Sequence, residues 1–468
     1  MLGSYQDVPD NSISVQGTTR VYGAQGSDTV NIEDNSLVTF NGAGGYDIAN
    51  VTGSGSDLSL VDVEDVNGAS GDDKVVMLLG RGQETVNHQV DLGDGVDTLR
   101  IDASRAEAVT VTVKGVESIV MDGAVNLAFG DRAFGTSIVA GPDVISNVAL
   151  QDVGGFKTAN LIEVSGGNIV VQGSSGRDVI RDFGGETGNY VLGGGLDRVE
   201  LLGSVDHFTF VDGVEAVVAG SGNDTLYVDR AIPNGMSIDL GAGKDLLDLG
   251  GSDGGALLVS NVERIFGGEY DENVTVRTTI KDGYFDLGEG YDVVSLNGAN
   301  NSLEVRHVQV VTGSSAVDRI TVMANDVTNT RLFGYQGGDV LIGGGGDDYI
   351  VGGAGKDLMR GGGGADKFVF QRISDSDLET RDIIYDFQVG LDKLVFTGLA
   401  KGEASLVVED VFTGFGGLGH TEVHFVDGTD QLLMDLDGNG TMDMRMALIG
   451  VGNTLSLGDF IWEAPPPP

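Results

Sequence analysis

Four consecutive nine-residue units between Gly334 and Val369 carry the residues best placed for chemistry. They read GYQGGDVLI, GGGGDDYIV, GGAGKDLMR and GGGGADKFV, so each unit has Gly at position 4 and Asp at position 6. Carboxylate and backbone carbonyl oxygens are the ligands that hard cations such as Ca2+ prefer. The spacing therefore predicts calcium sites. The candidate residues are Asp339, Asp348, Asp357, Asp366, Gly337, Gly346, Gly355 and Gly364.

Each part of the nine-residue unit has a physical role. The glycines permit positive φ and close backbone approach, so the first six residues can form a tight turn with inward carbonyls. The last three residues form a short strand with one inward apolar side chain. Two units then make one coil, which stacks Asp339 over Asp357 and Asp348 over Asp366. A Ca2+ between stacked turns would collect six to eight oxygens. The alternative is a set of plain Gly/Asp turns without metal, in which bare carboxylates would repel one another.

These units resemble the hemolysin-type calcium-binding repeats of RTX (repeats-in-toxin) proteins. Residues 374–396 and 435–450 are similar to the segments that follow the repeats in serralysin-type proteins. The segment LSLGDFIW at 455–462 is similar to their uncleaved type I secretion signal, with Asp459 before three apolar residues, although EAPPPP extends past the expected end. The resemblance implies export by a type I machine of a Gram-negative cell and folding on calcium outside it.

Residues 1–333 contain looser Asp turns, for which a metal site and a metal-free turn are both open interpretations. The turns at Asp271 and Asp318 are the poorest candidates, because they lack the Gly at position 4 that lets a turn present its carbonyls. The further candidate metal ligands are Asp73, Asp97, Asp178, Asp197, Asp224, Asp245 and Asp292.

From Asp224 to Asp339 the Asp turns recur at alternating intervals of 21 and 26 residues, which defines a 47-residue unit. A third landmark keeps step with them, as VDGVEAVVAG at 211–220 and VRHVQVVTG at 305–313. Two turns per unit predict coils of roughly 23 residues, each with about three short strands. Segments rich in Val, Ile and Thr between Gly, Asn and Asp favour strands. The predicted fold is all-β, a right-handed parallel β-helix or β-roll solenoid with calcium-binding Gly/Asp turns.

The composition changes along the chain and predicts four segments. Residues 1–333 are expected to form a solenoid of degenerate repeats, and residues 334–370 the nonapeptide roll. Residues 371–462 are expected to form its cap and the secretion region, followed by a Pro-rich tail at 463–468. The stretch from about 100 to 170 has few Asp turns and is expected to hold coils without calcium or an inserted loop.

The charge balance excludes several classes of function. The 468 residues include 71 Asp and Glu against 27 Lys and Arg, a formal net charge of −44. Such a chain is not expected to bind nucleic acid or insert into a membrane, since both partners need cationic or long apolar segments. The absence of Cys excludes disulfides and thiolate chemistry. Carboxylates at this density oppose compaction unless cations neutralise them.

The EF-hand-like segment at 435–446 is a weaker constellation. Asp435, Asp437, Asn439 and Asp443 match part of an EF-hand loop, but its twelfth position is Met446 instead of Glu. We expect a terminal β-hairpin there, with a cation at its turn as one option.

Histidine chemistry is also weakly indicated. On an alternating strand His420, Glu422 and His424 would share one face, as a metal pair or as a solvated surface. The sequence contains no H-E-x-x-H and no G-x-S-x-G motif, so protease and lipase activities do not follow from the resemblance.

Three functions fit these observations. The first is a secreted, non-catalytic calcium-binding structural protein that self-assembles as a surface layer, filament or biofilm matrix. The second is a calcium-dependent adhesin that binds glycan, with cell-surface polysaccharide as partner. The third is a β-helix polysaccharide lyase or hydrolase, which the low aromatic content of 6% disfavours.

Overall fold

The computed structural model describes residues 11–33, 36–80, 86–105, 109–129, 134–140, 145–150, 160–184, 187–400 and 402–464. These residues form an all-β fold, which confirms the prediction of a parallel β-solenoid. Within them the helical segments are single 3-10 turns. These turns are Ile373–Asp375, Asp427–Thr429, Gly452–Thr454 and Leu457–Asp459. The chain divides into two compact units, Met1–Met236 with Leu240–Gly243, and Ser237–Asp239 with Lys244–Pro468.

Short strands arise because apolar residues alternate with polar ones between turn-forming glycines and aspartates. In DTVNI at 28–32, for example, Val30 and Ile32 are fully buried while Thr29 and Asn31 face outward. Through most of each unit, a strand pairs in parallel with the strand two places further along the chain. The inward side chains of the two resulting sheets therefore form a narrow apolar core within each unit.

The first unit contains strands β1–β23, in which odd-numbered strands form sheet A and even-numbered strands form sheet B. Sheet A contains β1 (Asn11–Val15), β3 (Asp28–Ile32), β5 (Ile48–Val51), β7 (Asp65–Ser70), β9 (Asn87–Asp94), β11 (Val109–Lys114), β13 (Val125–Phe129), β15 (Ile145–Ala149), β17 (Asn168–Gln172), β19 (Thr187–Val191), β21 (Phe208–Asp212) and β23 (Thr225–Arg230). Sheet B contains β2 (Thr19–Tyr22), β4 (Leu37–Asn41), β6 (Asp57–Val61), β8 (Lys74–Leu78), β10 (Thr98–Asp102), β12 (Ser118–Asp122), β14 (Phe134–Ala140), β16 (Asn160–Ser165), β18 (Asp178–Asp182), β20 (Arg198–Leu201) and β22 (Ala216–Val218).

The second unit repeats the alternation, and β24 (Met236–Asp239) lies at the division between the units. Its sheet A contains β25 (Leu246–Ser252), β27 (Arg264–Phe266), β29 (Gly283–Asp286), β31 (Ser302–Arg306), β33 (Arg319–Val322), β35 (Val340–Ile342), β37 (Leu358–Arg360) and β39 (Asp382–Ile384). Its sheet B contains β26 (Gly255–Ser260), β28 (Glu272–Val276), β30 (Val293–Leu296), β32 (Val310–Thr312), β34 (Arg331–Gln336), β36 (Tyr349–Ala354), β38 (Lys367–Phe370) and β40 (Lys393–Thr397).

The last strands of the second unit change to partly antiparallel pairing. Strand β42 (Glu422–Val426) pairs in parallel with β41 (Ser405–Glu409) and antiparallel with β43 (Gln431–Asp435). Strand β44 (Met444–Leu448) then joins β43 to β39 in sheet A, and β45 (Phe460–Glu463) pairs with β40 in sheet B. The segment that resembles a secretion signal is therefore folded into the sheet.

The prediction of three strands per coil is wrong, because each coil has two. Successive strands alternate between the sheets, and the 47-residue repeat spans five strands, for example β25 to β29 between Asp245 and Asp292. Five strands are two and a half coils, so a coil averages about 19 residues. Because of the half coil, equivalent Asp turns in successive 47-residue repeats precede strands of opposite sheets. The repeat length therefore does not reveal the coil length.

The irregular stretch from 100 to 170 continues the coils where it is described. Strands β10 to β16 pair in the same order as their neighbours, with a register shift between Phe134 and Thr136. Residues 106–108, 130–133, 141–144 and 151–159 fall outside the described residues. The four predicted segments remain a prediction, as does the handedness of the coil.

Candidate metal sites

A ladder of carboxylates runs along the sheet A edge of the second unit, where each member precedes its strand. The backbone N–H of Asn301 donates to Oδ1 of Asp318 at 2.9 Å, and that of Asp318 donates to Oδ1 of Asp339 at 2.7 Å. The series continues from Asp339 to Asp357 at 2.7 Å and from Asp357 to Asp382 at 2.8 Å. Each Asp therefore connects its own coil to the preceding coil through one carboxylate oxygen.

The sheet B edge carries a second ladder with the same geometry. The N–H of Thr330 donates to Oδ1 of Asp348 at 2.8 Å, and that of Asp348 to Asp366 at 2.9 Å. Asp366 in turn donates to Oδ1 of Asp392 at 3.0 Å. The predicted stacking of alternate nonapeptides on two edges is therefore present, in strands that pair 18 residues apart.

The second carboxylate oxygens are the feature that points to a cation. The side chains of Asp339, Asp357, Asp366 and Asp382 are fully buried, and their Oδ2 atoms have no hydrogen-bond partner among the described residues. An ionised oxygen enclosed without a partner is strongly unfavourable. Such oxygens fit a hard divalent cation, which needs several of them at once. Asp348 differs, because its Oδ2 accepts the N–H of Gly344 at 2.8 Å.

The first glycine of each nonapeptide makes room for that oxygen. A Cβ on Gly334 would lie 2.5 Å from Oδ2 of Asp339, and one on Gly352 would lie 2.5 Å from Oδ2 of Asp357. Gly334 and Gly352 do not have positive φ, so glycine is needed there for space beside the carboxylate and not for its backbone conformation. Any larger residue would push the carboxylate out of its position.

The glycine at position 4 is needed instead for the backbone conformation of the turn and for its close stacking on the preceding coil. Gly337, Gly355 and Gly364 have φ of 138°, 141° and 103°, values that L side chains rarely adopt. A Cβ on Gly355 would collide with the carbonyl oxygen of Gly337 one coil earlier. Gly346 lacks a positive φ but would meet the carbonyl of Thr328 in the same way. The turns therefore stack at backbone contact, with their carbonyls beside the Asp ladder.

Burial makes these carboxylates poor acids in the calcium-free chain. Desolvation raises the pKa of Asp339 to about 8, and the charges of Asp357 and Asp318 add to the increase. Desolvation also raises the pKa of Asp382 to about 9, and the charge of Asp357 adds to the increase. Desolvation raises the pKa of Asp366 to about 7. Binding of Ca2+ at neutral pH therefore has to displace protons from these sites.

Comparison with protein families agrees with this geometry. Residues 322–462 match the family described as peptidase M10 serralysin C terminal, and residues 211–230 match the RTX calcium-binding nonapeptide repeat (4 copies). The chain carries an RTX calcium-binding region. No curated protein sequence matches it significantly. RTX nonapeptides bind Ca2+, and a serralysin-type C-terminal region indicates type I secretion to the extracellular space.

The RTX match at 211–230 lies upstream of the four regular units, on one of the looser turns. There Oδ1 of Asp224 accepts the N–H of His207 at 2.9 Å and lies 2.9 Å from its Nδ1. Burial lowers the pKa of His207, but the side-chain hydrogen bond to Asp224 and the charges of the surrounding carboxylates together raise it above its ordinary value. An imidazolium can therefore compensate part of the charge of Asp224.

The looser RTX turns of the first unit use the same hydrogen bond. The N–H of Asp73 donates to Oδ1 of Asp97 at 2.7 Å, and that of Asp178 donates to Oδ1 of Asp197 at 2.7 Å. All four side chains are buried, and desolvation raises the pKa of Asp197 to about 7 and that of Asp97 to about 6. The structure therefore brings these predicted residues together in pairs.

The third landmark of the 47-residue unit supplies ladder members that the sequence analysis missed. Its Glu or Gln sits one coil after an Asp turn and accepts the Asp N–H through its side chain. The pairs are Asp97 with Glu117 at 2.8 Å, Asp197 with Glu215 at 2.6 Å, Asp245 with Glu263 at 2.8 Å and Asp292 with Gln309 at 2.5 Å. The recurrence of V-x-x-V-E/Q was the available signal.

At the turn of Asp271, which the sequence analysis ranked among the poorest candidates, a neighbouring residue occupies the ladder position. Asp271 is exposed, and the buried position before the strand is occupied by Glu272, whose N–H donates to Oδ1 of Asp292 at 2.9 Å. Desolvation raises the pKa of both carboxyls of this pair, and the Asp292 charge adds to the increase at Glu272. The spacing to the first apolar residue, Val274, identifies Glu272 as the position 6 equivalent.

The EF-hand-like segment is a hairpin turn, as predicted. Ligand atoms of Asp435, Asp437 and Asp443 lie within 4.8 Å of one another between β43 and β44. Asp435 is buried and accepts the N–H groups of Gly438 at 2.8 Å and Gly440 at 2.6 Å. Its oxygens therefore organise the turn. Cation binding there remains a prediction.

Neither interpretation of the histidine strand is correct. Glu422 accepts the N–H groups of Gly416 and Leu418, while His424 Nδ1 lies 2.7 Å from Oε1 of Glu409. Glu422 and His424 are thus committed to different partners and do not form a metal pair. Both are buried, so they do not form a solvated face either.

Among the residues that the structure describes, no helix is long and apolar enough to cross a membrane.

Proposed function

We propose that the chain is a secreted, non-catalytic structural protein that folds outside the cell and then self-assembles into a surface layer, filament or biofilm matrix. The buried carboxylate ladder carries this proposal. Every Asp in it uses one oxygen to connect two coils, and the second oxygen of Asp339, Asp357 and Asp382 is enclosed without a protein partner. The coils consequently depend on cations for close stacking.

Calcium supply then decides where the protein folds. Calcium is scarce inside cells, so repulsion within a chain of net charge −44 keeps the coils apart during export. Ca2+ outside the cell supplies the positive charge that the stacked oxygens need, and extracellular modules bind it with Kd of roughly 10⁻⁴ to 10⁻³ M. The chain's own Asp Oδ1 atoms then hold successive turns in register.

A non-catalytic role is supported by the position of the titratable groups. The carboxylates with the most perturbed pKa values, Asp339 and Asp382, are fully buried between turns. A glycan or peptide cannot reach an acid placed there without separation of the coils. Their enclosed position therefore supports a role in cation binding over acid–base catalysis.

Self-assembly is supported by an aromatic platform on the outer face of the first unit, defined as Phe208, Phe210 and Tyr227. Phe210 stacks on Tyr227 with ring centroids 4.7 Å apart, and Phe208 lies 5.4 Å from Phe210 and 4.9 Å from Tyr227. Phe208 is 40% exposed. Outward apolar clusters on a soluble surface mark contacts with other molecules. We take a second copy of the chain as the partner.

Calcium titration of the purified chain tests the proposal. In chelator, circular dichroism is expected to show little strand signal, and millimolar Ca2+ is expected to restore it, with polymers visible by negative-stain microscopy. Mg2+ at the same concentration is the control, because it demands a smaller octahedral site. A complete strand signal in chelator would contradict calcium-driven folding.

Assembly is separated from folding by variants of the aromatic platform. Phe208→Ser with Phe210→Ser is expected to fold on calcium but to remain unpolymerised, while Tyr46→Ser, an exposed Tyr elsewhere in the first unit, is expected to polymerise normally. A folded wild-type monomer at all calcium concentrations would remove the assembly part of the proposal.

A further inference from the structure

A groove of about 560 Å³ lies in the second unit, at the C-terminal ends of five consecutive sheet B strands, β30, β32, β34, β36 and β38. Its volume falls in the range of small-molecule and oligomer sites. Its lining includes Asn297, Phe333, Tyr335, Gln336 and Arg372. None of these side chains belongs to the carboxylate ladders, so cation binding by the ladders does not account for the aromatic and polar side chains that line the groove.

Tyr335 has an unfavourable backbone conformation at this groove. It occupies position 2 of the first nonapeptide with φ of 72°, where the third and fourth units have Gly353 and Gly362 with φ of 92° and 95°. A bulky residue in this left-handed region is uncommon and strained. Its side chain is 56% exposed, so no buried packing compensates for the strain. The turn takes this conformation in the third and fourth units with glycine, so an exposed aromatic side chain in place of glycine points to a role for the side chain itself.

A rigid aromatic surface extends from Tyr335 along the coils. The ring of Phe333 lies 6.4 Å from that of Tyr335 at an interplanar angle of 28°, and 6.1 Å from the ring of Tyr349. The guanidinium of Arg331 covers Phe333 and Tyr349 at 5.6 and 5.0 Å from the ring centroids. Phe333 also packs on the buried Val351 cluster, which fixes its orientation.

We propose that this groove binds a neutral polysaccharide chain across successive coils. The exposed ring of Tyr335, held beside Phe333, offers a face that can bury the apolar C–H face of a pyranose ring. Asn297, Gln336 and Arg372 supply directional donors, and the two amides also supply acceptors, for sugar hydroxyls at the groove wall. The net charge of −44 repels anionic polymers, which favours a neutral glycan. The inference needs only the folded second unit and is independent of self-assembly.

Binding of defined oligosaccharides to the full chain in millimolar Ca2+ tests the proposal. The probes are cellohexaose, maltohexaose, isomaltohexaose, chitohexaose and mannohexaose, with hexamannuronate as the anionic comparison, measured by isothermal titration at up to 1 mM. At least one neutral probe is expected to bind. Failure of all five neutral probes, or binding of the anionic probe alone, overturns the proposal.

Two variants of Tyr335 connect any binding to the groove. Tyr335→Gly and Tyr335→Asn both suit a left-handed residue, so the calcium-dependent fold is expected to be unchanged or more stable. Each is expected to weaken binding of the neutral probe at least about tenfold. Tyr291→Ala is the matched control, because Tyr291 is 54% exposed in the same unit but lies outside the groove, and it is expected to leave affinity unchanged.

Two further outcomes decide against the proposal. Unchanged affinity in both Tyr335 variants would place the glycan elsewhere. Dissociation of an assembled form by Tyr335→Gly, with no oligosaccharide bound by the wild type, would make the groove an interface between copies of the chain.

Discussion

At the scale of single residues, the two oxygens of each ladder Asp have different tasks. In Asp357, Oδ1 accepts the N–H of Asp339 at 2.7 Å, while Oδ2 is buried beside Gly352 without a partner. The first oxygen needs only to be an acceptor, which an amide also provides. The second is placed to bind a cation, which a charged carboxylate holds more strongly than a neutral amide does. An isosteric amide therefore separates the two tasks.

Asp357→Asn is expected to have opposite effects with and without calcium. The calcium midpoint of folding should rise about three- to tenfold, equivalent to about 1 kcal/mol, because one anionic ligand is lost. In chelator the folded form should instead become more stable, because a buried charge is removed and the Oδ1 hydrogen bond stays. Circular dichroism measures both effects, as the Ca2+ midpoint of folding and as the strand signal that remains in EDTA.

The exposed Asp410→Asn in the same unit is the control, and we expect it to change neither midpoint. Loss of stability by Asp357→Asn under both conditions would show that Asp357 acts only through its hydrogen bond.

At the scale of the turn and strand, the first and third glycines of a nonapeptide are not equivalent. A Cβ on Gly361 would overlap the carboxylate of Asp366, while the nearest atom to a Cβ on Gly363 is the Cα of Gly345 at 3.7 Å. Gly363 also has no positive φ, and the third unit has Ala354 at the corresponding position. Gly361 and Gly363 therefore form a matched pair in one turn. A Cβ has no room at Gly361 but has room at Gly363.

Gly361→Ala is expected to destabilise the calcium-bound protein by about 1–3 kcal/mol, because overpacking displaces the Asp366 carboxylate. Gly363→Ala is expected to be neutral or slightly stabilising, because alanine reduces the entropy of the unfolded chain. Thermal unfolding in saturating Ca2+ measures both variants. Equal effects would show that glycine flexibility, and not space beside Asp366, determines the composition of the turn.

The turns and strands also show how much of the carboxylate ladder could be predicted from the sequence. The four regular units predicted the stacking of Asp339 with Asp357, because a strict nine-residue period leaves one arrangement. The looser repeat led to a wrong coil length, because the 47-residue repeat contains two and a half coils and its Asp turns alternate between the sheet A edge and the sheet B edge. Glu263 and Glu272 also escaped notice, because a search for Asp turns does not find ladder positions that are occupied by Glu.

At the scale of the whole molecule, burial of many carboxylates makes folding sensitive to pH. Desolvation raises the pKa of Asp339 to about 8, of Asp366 to about 7 and of Asp382 to about 9 in the calcium-free chain, against an ordinary value of 3.8. The folded chain therefore binds more protons than the unfolded chain between about pH 4 and pH 9. Protons and calcium are in this respect alternative means to neutralise the ladder.

The calcium-free fold is accordingly expected to be most stable near pH 4 and to lose stability as the pH rises through the raised pKa values. Each proton bound in excess by the folded chain contributes a loss of about 1.4 kcal/mol per pH unit. With calcium the trend reverses, since Ca2+ requires deprotonated oxygens and its folding midpoint should fall as the pH rises. Circular dichroism at pH 4.5, 6, 7.5 and 9 measures both trends, as the strand signal in EDTA and as the Ca2+ midpoint of folding. A calcium-free chain that gains stability toward pH 9 would show that its carboxylates are already compensated within the protein, and the proposed dependence of folding on calcium would then have no physical basis.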